Sequence, residues 1–425
     1  MILRPLLERS ATLALLIWSG IALPLSAQRN HDDYDEVNPW RGFEPVDSGP
    51  DSATVARFLA DLAGSRPVVC QIAGDNLGNN WHGSKGEYRA GMLQEEAATE
   101  SARQALNHRV TDAGALARLA EALGDPNPCV RRAASHLLGQ SRAPEAWRLL
   151  RAGLRAGEAR IREASALGLA CADDPAAYGD LSRALHDKDP AVIRMVAYAL
   201  GQLEDARAVK PLAELLEAAD PETRATAAEA LGNIEDIRAV DHLTPLVRDR
   251  DVRVRVAAVE ALGNLEDHRS TGALSDGLHD RDVTVRRSAA QALGNVEDRK
   301  AESPLAQAID DTDPVVRRLA AQALGQLDNQ EHAPLRLIAA LGDRDPELRI
   351  IAAASLGEIG DTSAVPALAN AYRSDDPRLR YAVIRALADT DDRRGNATLT
   401  VARQDSDRIV RHAAAQALKD RDDDD

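Results

Sequence analysis

The chain has 425 residues, 44% of them apolar, and a formal net charge of −16. A protein this acidic is repelled by phosphate backbones and anionic membrane surfaces, so nucleic acid is not an expected partner. The three cysteines, Cys70, Cys129 and Cys171, have no metal or redox spacing; they read as buried thiols on repeat helices, with a disulfide between adjacent repeats as the alternative.

Arg4 and Arg9 precede an apolar run from Ala11 to Leu25 that Pro24 interrupts and Ser26 and Ala27 follow. A basic start, an apolar middle and small residues at the cut make residues 1–27 a secretory signal peptide. The run is too short and too interrupted to span a membrane. The expected location is therefore periplasmic or secreted, with no stable membrane insertion after cleavage. Residues 28–50 are polar, acidic and aperiodic, the composition of a linker or tail, although Trp40 and Phe43 are unusual in such a segment.

A helix over Thr54–Ala63 opens a degenerate region, residues 51–124. It contains an irregular insertion at 79–92 with Trp81, His82 and Tyr88. Long loops in compact folds are uncommon and often functional. Of the 11 aromatic residues after residue 27, six lie between Tyr34 and Tyr88. Trp40, Phe43, Trp81, His82 and Tyr88 are accordingly candidate partner-binding residues; the competing reading is that they cap the first end of the fold.

Residues 125–419 are a repeat array. From Asp189 to Leu327 one sentence is written five times, as in DPETRATAAEALGNI and DPVVRRLAAQALGQL, with Gly201, Gly232, Gly263, Gly294 and Gly325 spaced 31 residues apart. Within a copy, Val316, Ala320, Ala321, Ala323 and Leu324 trace one helical face, and Val209, Leu212, Leu215 and Leu216 trace a second. Each unit is a helical hairpin, and units of this length bury their apolar faces only by stacking. Asp, often followed by Pro, starts the first helix, and Asp205, Asp236, Asp267 and Asp298 are placed to cap the second. The apolar stripe continues past each Gly, so the Gly is expected inside the helix, where it lets two backbones approach. Residues 420–425 form an acidic tail that keeps the exposed end soluble.

Asp and Arg recur four residues apart: Asp220 and Arg224, Asp251 and Arg255, Asp282 and Arg286, Asp313 and Arg317, Asp345 and Arg349. That spacing places them one turn apart on one helix face. When repeats stack they are expected to form a structural ladder of caps and bridges along one edge, with a row of binding charges as the competing reading.

The motif DPxVRxxAAxALGxL followed by DxRAVxPLxxLL resembles the HEAT repeat, in particular the short HEAT-like type of the phycobilisome bilin lyases. The resemblance covers nearly the whole chain after residue 50. It implies an all-α superhelix, an armadillo-type α solenoid of about ten to twelve helical hairpins, and most often a scaffold that binds another protein. The repeat pattern is also similar to that of deoxyhypusine hydroxylase, whose iron ligands come from paired His-Glu motifs. Here there is no His-Glu dipeptide; His186 with Asp187 and His279 with Asp280 come nearest and lie in turns.

No Gly-rich phosphate loop and no nucleophile elbow is present. The Asp-x-Asp pairs, such as Asp249 and Asp251, lack the Gly turn and distal carboxylate of a calcium loop, and the second Asp starts a helix. The expected function is thus a non-catalytic, exported scaffold with a protein partner and no cofactor. The alternative is a lyase-like or hydroxylase-like maturation factor that holds a cofactor or metal between repeat helices.

Overall fold

The computed structural model describes residues 50–64 and 109–424, except 173, 329, 331 and 391. Among these residues there is no β-strand. Helices at Ser52–Gly64 and Ala113–Ala122 precede ten long helices: Pro128–Gln140, Ala159–Ala172, Pro190–Gln202, Pro221–Asn233, Val252–Asn264, Val283–Val296, Pro314–Gln326, Pro346–Ile359, Pro377–Asp389 and Arg408–Asp424. Each long helix packs on the next, and the shorter helix between them packs chiefly on the long helix that follows it. The last helix runs on to Asp424, so the acidic tail extends it and does not follow it as a separate segment.

The repeated sentence explains each unit. Asp189, Asp220, Asp251, Asp282, Asp313, Asp345 and Asp376 have extended backbone, and their carboxylates accept from first-turn amides of the long helix. In the earliest copy Asn127, not Asp125, is the capping residue, while Asp125 accepts the Asn127 amide at 2.7 Å. The second Asp of the copies caps one turn of 3-10 helix before the short helix begins, as Asp205 does through the Arg207 amide. Between the two, the chain reverses at a left-handed residue: Glu204, Glu235, Glu266 and Glu297 have φ near +50°, and Gly360 takes that place in a later copy at φ 70°.

The core is a double column of leucines. Leu200, Leu231, Leu262, Leu293, Leu324, Leu356 and Leu387 on the long helices are fully buried, as are Leu212, Leu243, Leu274, Leu305, Leu337, Leu368 and Leu399 on the short ones. Each contributes roughly 1.5–3 kcal/mol by burial, and each needs the neighbouring repeat to be covered.

The repeated Gly lies within the helix, where the sequence placed it. A β-carbon on Gly201, Gly232 or Gly357 would stand 2.8 Å from the α-carbon of Ala230, Ala261 or Ala386 in the next repeat. Backbone meets backbone there, and a β-carbon at these positions would force the two helices apart.

The Asp–Arg ladder caps and bridges as expected, but its bridges do not join the Asp and Arg that lie four apart. The Arg224 guanidinium does not bond the Asp220 carboxylate; its Nε and Nη2 donate to both carboxylate oxygens of Asp249, in the turn before the next long helix, at 3.0 and 2.9 Å. Arg255 pairs in the same way with Asp280 and Arg286 with Asp311, always 25 residues ahead. Arg162 with Asp187 and Arg380 with Asp405 repeat the arrangement. Meanwhile Asp220, Asp251, Asp282, Asp313 and Asp345 spend their oxygens on first-turn amides, and Asp313 and Asp345 also accept from Arg287 and Arg318 of the preceding repeat. Among the described residues Arg317 and Arg349 have no carboxylate partner, and the Nε of each is buried without an acceptor. The ladder therefore ties repeat to repeat and does not brace single helices.

Cysteine pairing also departs from the expectation of three buried thiols. Cys129 is disulfide-bonded, Cys171 is a free thiol, and Cys70 lies outside the described residues.

Candidate functional site

The Gly–Ala contact fixes what stands beside it. The residue after each Gly is directed to solvent on the face where the long helices approach one another. Those residues are Gln202, Asn233, Asn264, Asn295 and Gln326, five exposed amides in five consecutive repeats. Among the described residues none of the five side chains has a hydrogen-bond partner. The Gln326 amide oxygen leans back over Gly294, 2.6 Å from where a β-carbon would stand, so the Gly also makes room for the row. Four positions earlier on the same helices, one turn back, are Tyr198, Glu229, Glu260 and Gln291, also exposed.

At one end this face closes into a recess of about 580 Å³ lined by Arg131, Arg132, His136, Cys171, Tyr198 and Gln202, among others. The Cys171 sulfur lies 3.1 Å from His136 Nδ1. Burial pushes the Cys171 thiol up to about 12, which leaves it protonated at neutral pH and inert as a nucleophile. Cys171 is therefore expected to react with a disulfide reagent at pH 8 about 10³-fold more slowly than a free thiol of ordinary acidity. A rate within tenfold of free cysteine, followed by absorbance on the native protein, would show the thiol to be activated.

At the other end the row turns acidic. Glu358 takes the amide position after Gly357, and Asp389 takes it in the next copy. Burial, and then the neighbouring Asp389, pushes the Glu358 carboxyl up to about 6, from an ordinary 4.5. Burial raises Asp389 as well, and burial with Glu260 nearby raises Glu229. A carboxyl raised in the folded state binds protons there more readily than when unfolded, so ionising it costs stability as pH rises. Glu358→Gln is thus expected to stabilise the fold above pH 6, by less than about 1 kcal/mol because water reaches the residue. The gain should vanish below about pH 4.5. Urea midpoints at pH 7.5 and 4.2 test this, and an equal shift at both pH values would refute it.

The aromatic candidates of the sequence, Trp40, Phe43, Trp81, His82 and Tyr88, lie outside the described residues. The ladder residues belong to the edge formed by the inter-repeat turns and not to the amide face. Sequence reasoning missed the amide row, although its signal was present: a polar residue follows each repeated Gly at the 31-residue period. Among the described residues no three His, Cys, Asp or Glu side chains converge as metal ligands, and no helix is long and apolar enough to cross a membrane.

Among solved structures, importin beta is similar over 86% of this chain and 57% of its own, with 17% identity and a TM-score of 0.57. The complex of CpcE and CpcF of phycocyanin lyase from Nostoc sp. PCC7120 matches 57% of this chain and 94% of its own, with 24% identity and a TM-score of 0.33. Human deoxyhypusine hydroxylase matches 66% of this chain and 96% of its own, with 22% identity and a TM-score of 0.28. No curated protein matches this chain. The HEAT-repeats family model matches residues 149–220, 209–290, 271–335 and 333–419 in succession. The repeat sentence, the stacked hairpins and this run of matches agree, and the chain belongs to the HEAT-repeat family.

Proposed function

We propose that this protein is an exported, non-catalytic scaffold that holds a protein partner in extended form against its long-helix face. The observation that carries the reading is the row Gln202, Asn233, Asn264, Asn295 and Gln326: exposed, unpaired, and placed once per repeat. A carboxamide both donates and accepts, so it can bond the backbone of any extended chain whatever its sequence. Packed helices are about 8–10 Å apart and an extended chain advances about 3.3 Å per residue, so one amide would meet about every third residue of the partner. Residues 1–27 support export, and the acidic rim from Glu358 to Asp389 supports a partner that carries positive charge.

The test is capture from the envelope fraction on three forms of residues 28–425: unaltered, with all five amides changed to alanine, and with Trp40, Phe43, Trp81 and Tyr88 changed to alanine. Retention of a protein by the first and third forms but not the second is the expected result. Loss only from the third form would move the docking site to the aromatic region, and loss from neither would remove the amide row from the reading.

A second reading rests on the recess at Cys171 and His136, whose volume and polar lining suit a cofactor held between repeats. A chromophore or stoichiometric metal in protein purified from its native host would favour this maturation-factor reading over the scaffold.

A further inference from the structure

The ladder supplies its own template for a binding site. In Arg162, Arg224, Arg255, Arg286 and Arg380 the guanidinium does the same two things. Nε and Nη2 hold both oxygens of one carboxylate at 2.6–3.1 Å. Nη1 holds the carbonyls five and six residues back, as Arg255 does with Arg250 and Asp249.

Arg349 occupies the same helical position, but the residue 25 ahead of it is Ser374, where the other five have Asp. Ser374 retains one part of the Asp role, accepting the Asp376 amide at 3.1 Å as Asp249 accepts that of Asp251 at 2.8 Å. It offers no carboxylate. The Arg349 Nε is buried without an acceptor, and no other bond of this side chain is present among the described residues.

Where the sequence drops both partners together, no such problem arises. Ile193 stands in the Arg position and Ala218, 25 residues on, in the Asp position. At Arg349 only the acid is gone. Around the guanidinium lies a recess of about 560 Å³ lined by Arg349, Arg373, Asn370, Ser374, Asp375 and Leu341, among others. Asp376 is committed to capping the next helix and to Arg378. Arg373 is exposed and makes no ion pair among the described residues, leaving two arginines, a hydroxyl and an amide against Asp375 as the one uncommitted rim carboxylate.

We propose that the Arg349 recess is a carboxylate-binding site, in which the ligand's carboxylate lies where Asp249, Asp280 and Asp311 lie in the other repeats. The ligand class is an organic acid small enough for the recess or an acidic side chain of a partner; the shared chemistry is a planar carboxylate held in a fork by Nε and Nη2. The inference is independent of the amide row.

The test uses the full chain labelled at arginine Nε and followed by nuclear magnetic resonance, with the Arg349 signal identified by its loss in Arg349→Lys. Succinate and a short glutamate-containing peptide are titrated separately, each against sodium chloride of equal ionic strength. A saturable shift of the Arg349 Nε–H with succinate assigns the site to free organic acids, and a shift with the peptide alone assigns it to a partner's side chain; either supports the proposal. Ser374→Asp should move the signal to the position of the Arg224, Arg255 and Arg286 signals without ligand. It should also weaken the response to either probe by at least about tenfold, the equivalent of about 1.4 kcal/mol. No response to either probe, or a response unchanged in Ser374→Asp, would overturn the proposal.

Discussion

Arg255→Ile is expected to destabilise the middle of the array by about 3–5 kcal/mol, the cost of removing one partner from a buried ion pair. Arg255 is 4% exposed and holds Asp280 by two hydrogen bonds, at 2.7 and 3.0 Å. Without it, a carboxylate is left in a site with little water, and the carbonyl of Asp249 loses a donor. The double variant Arg255→Ile with Asp280→Ala should recover most of that loss, because the natural copy with Ile193 and Ala218 solves the same interface without charge. Recovery is incomplete, since Asp280 also accepts the Asp282 amide at 2.7 Å, a bond worth about 1 kcal/mol.

Burial acts to raise the Asp280 carboxyl, but the hydrogen bonds from Arg255 and the Asp282 amide outweigh it and hold it below the usual range. The pair's stabilisation is therefore present above the unfolded value of about 3.9 and is lost as pH falls through the lowered folded value. Urea unfolding of the three proteins, with hydrogen exchange over residues 252–296 to localise the effect, decides the matter. A single variant that costs under about 1 kcal/mol would rank this pair with exposed salt bridges.

Gly263→Ala should cost about 1–3 kcal/mol, the range for overpacking a filled interface, even though alanine is the better helix former by about 1 kcal/mol. The new β-carbon would stand 2.7 Å from the Ala292 β-carbon and 2.9 Å from its α-carbon, so the backbones of two repeats must part. Gly272→Ala is the control. Gly272 is exposed within a short helix, and a β-carbon there meets nothing within 4 Å. It should stabilise by up to about 1 kcal/mol. Thermal midpoints that move in the same direction for both variants would show that propensity, not close approach, sets the role of the repeated Gly.

Most of each unit was legible in the sequence because it is made of local interactions. Asp205, Asp220 and Asp251 cap helices through amides two or three residues away, and the leucine columns follow from helical period alone. Gly263 was readable inside the helix because Leu265 continues the apolar stripe beyond it. The amide row was equally present at the 31-residue period, but an exposed polar residue looks like any solvated position until the Gly–Ala contact shows which side of the helix it occupies.

The sequence by itself determined that this chain is a stack of capped helical hairpins, since the caps and the helical period depend on residues within one repeat, and an apolar face repeated every 31 residues can be covered only by the next copy. Only the tertiary structure decided the partners of the arginines. The Asp four residues before each Arg is already occupied by first-turn amides, and the carboxylate within reach belongs to the next repeat, 25 residues on. A distance set by stacking has no local signature, which is why the break in the ladder at Arg349 and Ser374 becomes visible only when the repeats are laid against one another.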